Sequence, residues 1–125
     1  MARADADRIA DISSAIEEVR GFARGHTAAS FVHVDAKTLR AVSFSLCLIG
    51  EAVKGLSDAV KSRHTDVDWI GLAGLRDVLI HQYFRADPKL IWAAVVDDLV
   101  RLADAVERER GFVRAPSKKR KRGDS

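Results

Sequence analysis

Residues 75–84 read L-R-D-V-L-I-H-Q-Y-F. The leucines, the valine and the isoleucine mark this segment as buried, yet it carries Arg76, Asp77, His81 and Tyr83. Arginine and histidine together suit a phosphodiester. A guanidinium offers a planar donor fork to phosphate oxygens and stays charged at any physiological pH. An imidazole can take a proton from a ribose 2′-hydroxyl or return one to a leaving oxygen near neutral pH. RNA cleaved in this way needs no metal. The chain has no H-E-x-x-H, no cysteine cluster and no acidic trio at ligand spacing. It also has no G-x-x-x-x-G-K loop, so neither a metal centre, a cofactor nor an NTPase site is expected.

On a helix advancing about 100° per residue, Arg76, Ile80 and Tyr83 form one stripe and Asp77, His81 and Phe84 the next. Asp77 and His81 are four apart, so the Asp77 carboxylate can reach and orient the imidazole. Arg76 and His81 are separated by about 140° and do not share a face. A distortion near His81, a substrate bridging the groove, or two chains each giving part of the site would bring them together. The last arrangement makes a homodimer the natural expectation.

The apolar spacing that must position these groups is helical almost throughout. Ile9, Ile12, Ile16 and Val19 form a first run that closes at Gly25. Leu39, Val42, Leu46, Ile49, Val53 and Leu56 form a second, with Asp35 as its N-cap. Gly50 inside that run costs about 1 kcal/mol against alanine. Close approach of a neighbouring helix would offset this, with Glu51 facing something polar. A third run extends from about Trp69 to Tyr83. The fourth starts at Asp87-Pro88, carries Ile91, Val95, Leu99, Leu102 and Val106, and ends at Gly111. With short connections near 26–34 and 62–68, the expected fold is all-α: an antiparallel bundle of four main helices, with a short extra helix near Ala28–Val32.

The chain has 125 residues, 47% hydrophobic and 31% charged, enough for one domain. Its net charge of +3 is unevenly spread. Residues 112–125 hold Arg114, Lys118, Lys119, Arg120, Lys121 and Arg122 against Asp124 alone, so this tail carries +5 and the rest −2. Residues 1–111 read as the helical domain and 112–125 as a disordered basic tail able to attract RNA phosphates. No apolar run is long enough to span a bilayer, and acids occupy the N-terminus where a signal peptide needs an apolar stretch. The expected location is cytoplasmic, away from membranes. Cys47, between two leucines, reads as a small core residue; His26, His33 and His64 fall in connections and receive no role.

R-D-V-L-I-H-Q-Y fits R-x4-H-x-Y and resembles the signature of HepT-like proteins of the HEPN superfamily. The flanks are similar too: L-I-G-E-A at 48–52, W-I-G-L-A-G-L-R-D before the motif, and L-I-W at 90–92 after it. The resemblance runs in order from about Ile9 to Leu102. It implies the toxin of a type VII toxin–antitoxin pair, a homodimer acting as a metal-independent ribonuclease. It implies as partner a minimal nucleotidyltransferase antitoxin that silences the toxin by AMPylation. Carried over, Arg76 and His81 match the catalytic pair and Tyr83 the modified tyrosine. Two positions depart from the family's habit: Asp77 stands where asparagine is frequent, and Gln82 where glycine is frequent. The alternative from another class is a non-catalytic HEPN module that binds a nucleotide or scaffolds a transferase partner. Growth arrest on expressing this chain alone, lost on Arg76→Ala or His81→Ala, separates the two.

Overall fold

The computed structural model describes residues 3–81 and 87–123, with side chains over 4–81 and 87–111. Its elements are α1 (Arg3–Ala23), α2 (Ala28–Phe31), α3 (Ala36–Lys54), α4 (Asp58–Ser62), α5 (Trp69–His81), α6 (Pro88–Ala93), a π turn (Ala94–Asp98) and α7 (Leu99–Gly123). The described residues are all-α, with four long helices, α1, α3, α5 and α7, and no strand. None of these helices is long and apolar enough to cross a membrane.

The apolar stripes meet as their spacing requires. Ile12 and Val19 of α1, Val42, Leu46, Ile49 and Val53 of α3, and Leu102 of α7 are fully buried in one core. α3 lies centrally, packed on α1 along one side and α5 along another, while α7 covers α1. Asp5, near the start of α1, accepts from the Ser57 amide at 3.0 Å and the Ser57 hydroxyl at 2.7 Å, just past the end of α3. That tie sets α1 antiparallel to α3. Asp35 caps α3 by accepting from the Thr38 amide, and Asp87 caps α6 from the Lys89 amide with Pro88 following. Gly25 closes α1 at φ 83°, a conformation that favours glycine.

Three local features differ from the sequence reading. A separate short helix, α4, follows α3, started by Ser57, whose hydroxyl accepts from the Val60 amide. In the fourth run Ala94 rather than Val95 is buried, followed by Leu99; the π turn absorbs this step of five. The last helix does not stop at Gly111 but continues to Gly123. One glycine costs a helix only about 1 kcal/mol, and Arg108, Arg110 and Arg114 around it are good helix formers.

A polar tie joins the residues just after α4 to α7. Glu109 is 1% exposed. It accepts from Arg63 Nε at 3.0 Å and Nη2 at 2.8 Å, and its Oε2 lies 2.6 Å from His64 Nε2. The Arg63 hydrogen bonds hold the Glu109 carboxyl below its ordinary value, outweighing burial, with the His64 contact adding to the effect. His64, read from the sequence as having no role, is thus a buried structural residue.

Candidate active site

α5 presents its motif on two surfaces. Leu72 and Leu79 point into the core, and Arg76, half-buried, faces α3. Contrary to what their types imply, several apolar residues are not buried: Val78 is 46% and Ile80 51% exposed, and Ile70 at the helix start is 88% exposed. Asp77 and His81 share this exposed side.

At Gly50 the backbones of α3 and α5 approach closely. A Cβ there would lie 2.9 Å from the Leu72 carbonyl oxygen and 3.2 Å from the Arg76 amide nitrogen. The next residue, Glu51, meets Arg76 with Oε2 at 2.7 Å from Nε. The close approach expected at Gly50 and the polar neighbour expected for Glu51 are one arrangement. Cys47, one turn earlier, is half-buried; burial pushes its thiol up against the opposing pull of the Arg76 charge.

Asp77 behaves differently from its expected role. Its carboxylate pairs with Arg76, Oδ1 lying 3.1 Å from Nη1, and does not reach His81. Its main-chain carbonyl oxygen instead lies 2.8 Å from His81 Nδ1. A carbonyl oxygen only accepts, so this bond requires the proton on Nδ1. In the neutral ring Nε2 is then the bare nitrogen, able to accept a proton. Asp77 therefore contacts both Arg76 and His81, by its side chain and its backbone respectively. Arg76 and His81 themselves share no hydrogen bond or ion pair. Tyr83 and Gln82 lie outside the described residues, as do the side chains of Lys118, Lys119, Arg120, Lys121 and Arg122. Among the described residues no group of three or more His, Cys, Asp or Glu is placed to hold a metal ion.

The family model for ribonuclease HepT-like proteins matches residues 12–109, which includes α5 and α3, the helix packed against it. The chain belongs to the HepT-like family. A Thermococcus cleftensis protein named "Probable ribonuclease HepT" is 36% identical over 110 residues, covering 88% of this chain and 99% of that protein. A Methanocaldococcus jannaschii protein, also named as an RNase, is 39% identical over 87 residues, 70% of this chain and 71% of its own length. No solved structure matches the chain.

For this HepT-like chain the α3–α5 contact is a testable constraint. Gly50→Ala gains about 1 kcal/mol of helix propensity. Overpacking typically costs 1–3 kcal/mol, and here the obstructing atoms are backbone, which cannot rotate away. The variant is expected to be less stable by about 1 kcal/mol, read as a lower urea midpoint at unchanged slope. A raised midpoint would show that the two helices part freely.

Proposed function

We propose that this HepT-like protein is a metal-independent endoribonuclease and the toxin of a type VII toxin–antitoxin pair. The observation that carries the chemistry is the His81 Nδ1 contact with the Asp77 carbonyl, which makes Nε2 the base. Nε2 takes the proton from a ribose 2′-hydroxyl, and the 2′-oxygen attacks the adjacent phosphorus. The bond from phosphorus to the 5′-oxygen breaks, and that oxygen takes up a proton. The products are a 2′,3′-cyclic phosphate and a free 5′-hydroxyl. Arg76 donates to the phosphate oxygens as charge gathers on them. Incubating the purified chain with RNA in EDTA tests this: cleavage persists and the new ends carry cyclic phosphate.

The working unit is a homodimer. Within one chain Arg76 faces α3 while His81 lies on the exposed side, and Ile70, Val78 and Ile80 leave apolar surface around it. A second copy covering this surface would bring two sets of motif residues into one cleft. Sedimentation at micromolar concentration is expected to give twice the chain mass, and a charge placed at Ile70, Ile70→Glu, to give the monomer. A parent protein that sediments as a monomer would remove the shared cleft.

Control is exerted through Tyr83 by a minimal nucleotidyltransferase. An AMP at the motif tyrosine adds bulk and negative charge where an RNA phosphate would approach Arg76. Co-expression with the partner is expected to add one or more AMP units to the chain and end its toxicity. Tyr83→Phe is expected to stay unmodified and toxic. An adduct found by mass spectrometry on another residue would relocate the control point.

A further inference from the structure

The guanidinium of Arg76 has five N–H donors. Its Nε faces Glu51 at 2.7 Å and its Nη1 faces Asp77 at 3.1 Å, while Nη2 has no partner among the described residues. The two carboxylates are not equivalent. Asp77 is the next residue on the same helix, exposed, and a bond to it leaves the arginine free to move with its own turn. Glu51 belongs to α3, whose backbone is pressed against α5 at Gly50, within one residue of the pair. Both ends of the Glu51–Arg76 ion pair are therefore fixed to core-packed helices. The side chains are 60% and 40% exposed, so the pair adds little to stability. Its consequence is geometric.

We infer that Glu51 is the positioning residue for Arg76: by holding Nε it orients the guanidinium and leaves Nη2 to meet the scissile phosphate. This rests on the reading of Arg76 as the phosphate-binding group. A guanidinium released from Glu51 would still attract RNA but would no longer meet the phosphate in one geometry. Displacement of a catalytic group by about 1 Å can cost on the order of 10²-fold in rate.

The test uses the full-length protein, a short RNA oligonucleotide, and separate kcat and KM values for Glu51→Ala, Glu51→Gln, Arg76→Ala and the Arg76→Ala/Glu51→Ala double variant. Glu51→Ala is expected to lower kcat by roughly 10- to 100-fold with KM little changed. Glu51→Gln, which keeps an acceptor, recovers part of the loss. In the Arg76→Ala background Glu51→Ala has no further effect, because a residue acting only through Arg76 cannot be lost twice. The nitrogen-15 NMR signal of Arg76 Nε–H, assigned by its loss in Arg76→Ala, is expected to move on Glu51→Ala. An unchanged or raised kcat in Glu51→Ala, or an equal loss in the Arg76→Ala background, overturns the inference. If Arg76→Ala cleaves as fast as the parent, the assignment of Arg76 fails instead. The Nε–H signal then still decides whether Glu51 holds the side chain.

Discussion

His81→Ala protein is expected to cleave RNA about 10²- to 10⁴-fold more slowly than the parent, the range that a positioned general base contributes. The loss is expected in kcat, since the imidazole is needed when the 2′-hydroxyl gives up its proton and not for holding the RNA. The assigned proton position sharpens this. With Nδ1–H tied to the Asp77 carbonyl, Nε2 is the bare nitrogen before substrate arrives. Arg76→Ala is expected to lose about 10²- to 10³-fold, as when one preorganised donor to a developing charge is removed. EDTA is expected to leave the parent rate unchanged, since the nucleophile is supplied by the RNA and the base by the protein. Product ends are read by their resistance to ligation and by mass. Cleavage stopped by chelation, or products bearing free 3′-hydroxyls, would replace this mechanism with a metal-assisted one. Retained activity in both single variants would move the chemistry away from α5.

The parts of this site that were legible in the sequence are those fixed by backbone geometry. Gly50 is a poor helix former set beside an unbroken apolar stripe, and a close neighbour was expected to offset its cost; that neighbour is α5 at Leu72 and Arg76. Asp35 and Asp87-Pro88 mark helix starts by chemistry local to a few residues, and both hold. What was not legible depends on choices between near-equal partners. Asp77 has an arginine beside it and a histidine four residues on, and spacing alone cannot say that the carboxylate turns to the first while the carbonyl meets the second. α5 is apolar nearly all round, so its sequence could not show that Val78 and Ile80 lie outside. The π turn is likewise hidden, because Ala94 and Val95 are both apolar and either could continue the stripe. Glu109 left one signal: it stands next on the stripe of Leu102 and Val106, where an acid is out of place unless it is paired inside.

That pairing sets the largest expected effect on stability. Glu109→Ala removes the acceptor that the buried His64 and Arg63 share. Removing one partner of a buried ion pair typically costs about 3–5 kcal/mol, and the 36% exposure of the Arg63 side chain puts this variant at the lower end, about 3 kcal/mol. For a chain of this size that lowers the melting temperature by about 10–20 °C. The loss should be confined to folding, since α4 and the contacting turn of α7 carry none of the motif residues. The pH dependence follows from the direction of the Glu109 shift. Its folded value is depressed below the ordinary 4.5 by the Arg63 and His64 hydrogen bonds. Stabilisation from this shift is therefore present above that unfolded value and disappears as pH falls through the folded one. Melting curves of the parent and of Glu109→Gln, which cannot ionise, are expected to differ most near neutral pH and to converge only as the pH falls through the depressed folded value. A Glu109→Gln variant that melts with the parent at pH 7 would mean that the charge contributes nothing and that packing alone joins α4 to α7. Curves that separate further as the pH falls would reverse the direction assigned to the shift.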